Sequence, residues 1–212
     1  MHPVNSVTDA LVRIGLNEAR YFLIIHMYKS IFDSPFMLIR NAMDNWCAHS
    51  LLTAATCQSL SLPMKLQNLG YAYLLGLLHD IGKPCLLKAF VADSQINRYS
   101  TNQLSIVFQK ISEHHTHVGR KVLKEANLQD SFSEVVIHRK LRDGKTPSRP
   151  VLLMSLAHEV VRHVLSEPEQ SHIDLKDFIA KHQLELTNSD MQRAMGAALQ
   201  RYQLVQTIFS VS

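Results

Sequence analysis

Glycine and proline are scarce in this sequence, with seven of each among 212 residues. Strands joined by tight turns need these residue types at many positions, so their scarcity disfavours a loop-rich β architecture and favours helices. An excess of charge is also missing, because 22 Lys and Arg face 18 Asp and Glu, which gives a net charge of +4. That balance is too mild to indicate a nucleic-acid-binding protein, and we expect no direct contact with nucleic acid.

Cysteines and long apolar runs are the other shortages. Cys47, Cys57 and Cys85 lack the C-x-x-C spacing of a zinc framework and are odd in number, which predicts buried thiols in a reducing compartment. The longest apolar runs, such as Tyr71–Leu78, are too short to span a membrane. No basic segment followed by an apolar stretch opens the chain as a secretory signal would. We therefore predict a cytoplasmic location and no membrane partner.

The overall composition is that of an ordinary globular protein, with 46% apolar and 19% charged residues. A chain of this length can bury one sizeable core. We predict one all-α domain over residues 1–212, with roughly seven to nine helices. Helical periods fall at about 7–16, 17–32, 36–60 and 64–78, and again from about 103, 131, 150, 171 and 188 onward.

Histidine is the residue that the sequence has in unusual number, with twelve in all. His49 shares one helical stripe with Ala42, Trp46, Thr53 and Leu60, so we expect its side chain to face inward. A lone inward histidine is most simply a core residue that is hydrogen-bonded to a backbone carbonyl. The positions of the other histidines therefore decide whether His49 belongs to a site.

The stretch Gly76–Pro84 contains an adjacent His79 and Asp80. The pattern predicts that an apolar helix leads into this pair and that Gly82 and Pro84 then end the helix. An imidazole can ligate one metal ion, and a neighbouring carboxylate can bridge two. The same dipeptide also occurs by chance, in which case it is only the polar end of a helix.

Candidate metal ligands follow one another along the chain on predicted helices. They are His49, His79, Asp80, His115 and His138. Imidazoles with one carboxylate suit one or two divalent ions of the Mn, Fe, Zn or Mg type. We expect the side chains to converge at one end of a helical bundle. Two ions bridged by Asp80 and a hydroxide would form a hydrolytic site for phosphoryl esters.

Basic residues near these ligands could bind phosphate. Lys83 projects a cation beside the His-Asp pair, where a phosphate oxygen could use it. The loop that follows His138 is also basic, and a solvated surface loop is the simpler interpretation of it. The alternative is an electropositive rim that attracts a phosphorylated small molecule or nucleotide. Under that alternative the phosphate-binding residues are Lys83, Arg139 and Arg142.

The ordered motifs resemble the HD superfamily of metal-dependent phosphohydrolases, and within it the HDOD branch. Gly76–Lys83 spells G-L-L-H-D-I-G-K, which matches the core motif of that branch without a change. The resemblance covers roughly residues 5–165. Its other segments are Ser6–Gly15, Trp46–Ser50, His115–Gly119 and Val136–His138.

The resemblance implies an all-helical HD-superfamily bundle with a role in bacterial signal transduction. HDOD domains are mostly viewed as output or regulatory modules, and they are related to the HD-GYP phosphodiesterases that open cyclic di-GMP. We also expect residues 171–212 to form C-terminal helices that pack on the bundle. HDOD domains generally carry further helices ahead of the segment equivalent to Ser6, so either this chain is a short relative or part of its domain is missing. An apolar patch left by missing helices would bind a partner, either a signalling protein or a second copy of the chain.

Three departures from the family pattern bear on catalysis. His158 stands where the last ligand is usually Asp, Arg139 stands where a second His is usual, and Asp143–Pro147 retains only a trace of the G-Y-P motif. His158 could still ligate a metal, so metal binding survives the departures better than catalysis does. Replacing a carboxylate by a neutral imidazole removes one negative charge from the site.

Three functional hypotheses follow from these motifs. The first is a regulatory HDOD module that can hold a metal and has weak or no catalytic activity. The second is an active phosphohydrolase or phosphodiesterase acting on a cyclic dinucleotide or another nucleotide phosphoester. Asp80 and Lys83 would then be catalytic, with Asp80 bridging the ions and Lys83 or Arg142 steadying the phosphoryl oxygens. The third is a metal-free helical scaffold for protein interaction.

Overall fold

The computed structural model describes residues 6–14, 36–93, 99–128, 130–138, 147–165 and 174–210. Within these ranges the chain forms nine helices and no strand, which confirms the predicted all-α class. None of the described helices combines the length and the apolar character that crossing a membrane requires. The helices are α1 (Val7–Ile14), α2 (Met37–Ser61), α3 (Leu69–Leu78), α4 (Gly82–Asp93), α5 (Thr101–Glu125), α6 (Asp130–His138), α7 (Arg149–Val164), α8 (Leu175–Lys181) and α9 (Asn188–Ser210).

The chain divides into two units, Met1–Cys47 and Ala48–Ser212. In the first unit, the Ser6 hydroxyl accepts a hydrogen bond from the backbone N–H of Asp9 at 3.0 Å, which caps the start of α1. The helix predicted over residues 17–32 lies outside the described residues. All of the candidate ligands, from His49 to His158, belong to the second unit.

Helix α7 is the centre of the second unit. Every residue from Val151 to Ala157 is buried, and α7 contacts α3, α6, α8 and α9. A helix that is apolar on nearly all sides needs neighbours on all sides, which explains its central position. Pro150 lies in its first turn, where a missing N–H leaves no helical hydrogen bond unmade.

The chain around the His-Asp pair differs from the prediction. Helix α3 ends at Leu78, residues 79–81 form a turn, and α4 begins at Gly82. Gly82 and Pro84 therefore do not end a helix, because both lie in the first turn of the next one. A proline is tolerated there because that N–H would have no partner within the helix. His79 and Asp80 consequently lie in a tight turn between two helices.

Two glycines let the helices that carry the candidate ligands come close together. A Cβ atom on Gly76 of α3 would lie 2.5 Å from the Cα atom of Ala54 on α2. A Cβ atom on Gly82 would lie 1.9 Å from the carbonyl oxygen of His115 on α5. Gly119 lies beside Gly82 in the same crossing. The turn with His79 and Asp80 is thereby held between α2 and α5.

Candidate metal site

Three histidines from distant parts of the sequence form one cluster. His49 comes from α2, His79 from the turn after α3, and His158 from α7. One ligand nitrogen of each lies within 4.8 Å of the others. Two nitrogens bound to the same tetrahedral zinc ion lie about 3.4 Å apart, because each Zn–N bond is about 2.1 Å. The nitrogens of the cluster would therefore have to approach one another by up to about 1.4 Å to close around one ion.

Asp80 lies between two imidazoles and a cation. The carboxylate is buried, with Oδ2 3.5 Å from Nε2 of His79 and Oδ1 3.5 Å from Nε2 of His115. The ammonium of Lys83 donates a hydrogen bond to Oδ2. Because His79 also belongs to the three-histidine cluster, the two groups of side chains share one residue and form one site.

The backbone fixes which nitrogen of His79 and His115 faces the site. Nδ1 of His79 lies 2.7 Å from the carbonyl oxygen of Gly76. Nδ1 of His115 lies 2.8 Å from the carbonyl oxygen of Ser112 and 3.2 Å from that of Ile111. Carbonyl oxygens only accept hydrogen bonds, so both Nδ1 atoms carry the proton and donate it. In both neutral rings the lone pair is therefore on Nε2, the nitrogen nearer to Asp80.

The buried Nε2 of His115 indicates that a cation belongs in this site. This atom has no hydrogen-bond partner, and the nearest acidic oxygen, Oδ1 of Asp80, can only accept. A lone pair and a carboxylate oxygen that face each other in a buried place repel unless a proton or a metal ion lies between them. The donor set of several imidazoles and one carboxylate fits a divalent transition metal, such as zinc or iron, better than magnesium.

Three of the predicted site residues have side chains outside the described part of the chain. His138 ends α6, but its side chain lies outside the described residues, as do Arg139 and Arg142. Their predicted roles in metal and phosphate binding stay predictions. Lys83 is described, and its ammonium lies beside the His-Asp pair, where it donates a hydrogen bond to the carboxylate of Asp80. The spacing of three residues from Asp80 to Lys83 was the signal in the sequence that could have indicated this pair.

Glu159 is a further buried carboxylate that the sequence analysis did not assign to the site. It follows His158 on α7 and is 8% exposed. Its Oε1 lies 3.3 Å from Nη1 of Arg162, one turn further along the helix. Glu159 is thus paired with an arginine of its own helix.

The fold and the site together define an HD-type helical bundle with a histidine-rich pocket that can hold a metal ion. The HDOD domain model matches residues 1–141, which is more than half of the chain, and the chain therefore belongs to the HDOD family. No curated protein shows significant similarity to it.

One solved structure is similar to the chain in fold. It is the crystal structure of a protein from Shewanella amazonensis SB2B that is provisionally assigned as a metal-dependent phosphohydrolase. The two share 20% sequence identity with a TM-score of 0.62, over 95% of this chain and 74% of the other. At this identity the likeness shows the fold alone.

Proposed function

We propose that this protein is a regulatory HDOD module of signal transduction whose histidine cluster binds one divalent ion, with weak or no hydrolytic activity. The observation that carries the proposal is the state of Asp80. Its carboxylate contacts His79 and His115, and the ammonium of Lys83 donates a hydrogen bond to it, so its negative charge is shared with a cation. Family membership supports the regulatory role, because the HDOD resemblance implies an output module.

The charge at the site favours one ion over two. Two divalent ions bring four positive charges within about 4 Å of each other, and a dinuclear site needs several carboxylates or hydroxides to offset their repulsion. The carboxylate of Asp80, which contacts two of the candidate ligands, is shared with the ammonium group of Lys83. His158 contributes a neutral imidazole where the family pattern has a further carboxylate.

A bound ion would link separate parts of the bundle through its protein ligands. His49, His79 and His158 belong to α2, to the turn after α3 and to α7. A ligand that binds only the folded chain stabilises that fold by mass action. When bound, the ion would act as a Lewis acid, and the chain would hold it through the fixed Nε2 atom of His79. Loading would thus make the helix arrangement that partners bind more rigid.

Metal content and thermal unfolding test the proposal. We expect about one Zn²⁺, Fe²⁺ or Mn²⁺ per chain and a lower unfolding temperature after chelation. His79→Ala and His158→Ala should lose the ion, because each removes one of three ligands. His117→Ala is the matched control, since His117 is an exposed histidine on α5 outside the cluster. Two ions per chain, or retention of the ion by both cluster variants, would contradict the proposal.

A second candidate function is a metal-dependent phosphohydrolase or phosphodiesterase. The placement of Asp80 between two Nε2 atoms, 3.5 Å from each, favours it because a bridging carboxylate needs neighbours on both sides. Hydrolysis of bis(p-nitrophenyl) phosphate or cyclic di-GMP with added Mn²⁺ would support this candidate, provided that Asp80→Asn abolishes it. Absence of turnover with an ion bound supports the regulatory module, and absence of any ion leaves a metal-free scaffold.

The proposed partners are signalling proteins or a second copy of the chain, and the proposed location is the cytoplasm. A phosphorylated small molecule at the site belongs to the second candidate function. Sedimentation velocity at micromolar concentration tests the homodimer, and a single monomeric species would rule it out.

A further inference from the structure

A cavity of about 410 Å³ lies between side chains of α4 and α5, on the side away from their glycine crossing. Leu86 and Phe90 line it from α4, and Ile106, Val107 and Ile111 line it from α5. We propose that this cavity binds a small amphiphile, which is a molecule with an apolar body and one anionic group such as a carboxylate. The proposal does not depend on the proposed metal-binding function.

The size of the cavity suits a small molecule. Ligand pockets typically enclose about 300–1,000 Å³ and are lined mostly by apolar and aromatic side chains. A stable protein interface needs about 800 Å² on each partner, including several exposed apolar side chains. Among the described lining residues, Ile106 is the only large hydrophobic side chain that is exposed, at 57%. The apolar surface is therefore concave and local, which favours a small ligand over a protein face.

The charge of the lining selects the polar end of the ligand. Lys110 is the one Lys, Arg, Asp or Glu among the described residues that line the cavity. Its ammonium lies 2.8 Å from Oε2 of Glu113, which is outside the lining and exposed to solvent. An ammonium has three N–H donors, so two remain for an anionic group on a ligand. No described carboxylate in the lining would repel that group.

Titration of the full chain in a chelating buffer tests the proposal. The fluorescent probe 8-anilinonaphthalene-1-sulfonate has an aromatic body with one anionic group, and we expect saturable binding of one molecule per chain. Decanoate should displace it, whereas decyltrimethylammonium, with the opposite charge, should displace it at least about tenfold less well. Because the buffer removes metal ions, a failure here is independent of a failure to find metal at the histidine cluster.

Amino-acid substitutions test whether the probe binds in the cavity. Ile106→Glu should weaken probe binding by about tenfold or more, because it places a carboxylate at the cavity mouth. Leu199→Glu makes the same kind of change at an exposed leucine of α9, which is outside the lining, and should leave binding unchanged. Lys110→Gln should weaken decanoate binding but not decanol binding. Val107→Phe, which fills the cavity, is the second test if Ile106→Glu does not fold.

Each other result would overturn the proposal. Binding that does not saturate, or that Leu199→Glu weakens as much as Ile106→Glu does, would show that the probe has no specific site in the cavity. Equal affinity of Lys110→Gln for decanoate would show that the ligand class is wrong. Self-association that Ile106→Glu abolishes in sedimentation velocity would assign the cavity to a second copy of the chain.

Discussion

Helices α4 and α5 pack very differently at their two ends. At one end Gly82 lies directly on the main chain of His115, so close that a Cβ atom would be 1.9 Å from the carbonyl oxygen. At the other end the side chains of Leu86, Phe90 and Ile106 line about 410 Å³ of space between the helices. One pair of helices is therefore closed where it positions candidate ligands and open where it could admit a small molecule.

This difference shows how residue size along one helix pair separates two tasks. Residues without side chains bring backbones together, which positions the polar groups of the site within a few tenths of an ångström. Large apolar residues at the other end cover the core but leave room between them. Adding a single carbon atom should thus cost far more stability at the glycine crossing than at the cavity. The following variants test this difference, in order of expected effect.

Gly82→Ala should have the largest effect. The added methyl group meets backbone atoms of His115, which cannot rotate away, so we expect a loss of at least about 2 kcal/mol in the free energy of unfolding. Gly196→Ala on α9 is the control, because nothing lies within 4 Å of its added Cβ. Alanine is the better helix former, so Gly196→Ala should gain about 0.5–1 kcal/mol. Urea denaturation measures both values, and similar stability of the two variants would contradict the close crossing.

Lys83→Met should have the next largest effect on stability, at the end of the helix pair where Gly82 contacts His115. It leaves the buried carboxylate of Asp80 without its ammonium partner, and we expect a loss of about 2 kcal/mol in metal-free protein. The exposed pair of Lys110 and Glu113 provides a control, because Lys110→Met should cost less than about 0.5 kcal/mol. If both variants are equally stable in chelating buffer, the carboxylate does not depend on Lys83.

Gly119→Ala should have a moderate effect. Its added Cβ would lie 3.2 Å from a methyl group of Val136 and 3.4 Å from the backbone nitrogen of Gly82. The valine side chain can move by a few tenths of an ångström, and the gain in helix propensity offsets part of the cost. We expect a net loss of about 0.5–1 kcal/mol by thermal or urea unfolding. A loss as large as that of Gly82→Ala would mean that the closed region is longer than one contact.

Val107→Ile should have the smallest effect, although it also adds one carbon atom. Val107 lines the cavity, so the extra methyl group can enter empty space without displacing a neighbour. We expect the free energy of unfolding to change by less than about 0.5 kcal/mol. A loss of more than about 1 kcal/mol would show that this end of the helix pair is packed as tightly as the glycine crossing.

The sequence predicted the helices and the family well because both depend on local pattern. The apolar period from residue 36 to residue 60 corresponds to α2 at Met37–Ser61. His49 is half-buried and lies beside His79 and His158. These features need only neighbouring residues or an ordered motif to be recognised.

The prediction was wrong where the role of a residue depends on its contact with a distant part of the chain. Gly82 and Pro84 resemble the residues that end a helix, but they begin α4. Gly82 is required by its contact with His115, which lies far along the sequence and cannot be inferred from local pattern. The cavity between α4 and α5 could not be inferred from local pattern either, since it depends on how two separate helices face each other.

Main-chain carbonyls bind the Nδ1 protons of His79 and His115, and this has a consequence for the speed of ion uptake. Each carbonyl belongs to the helix that leads into its own histidine, so both rings are oriented as soon as that helix forms. An ion bound as proposed would meet these two lone pairs already turned toward it and would not have to wait for either ring to flip. The approach of His49 and His158, which come from other helices, would then set how fast the site fills.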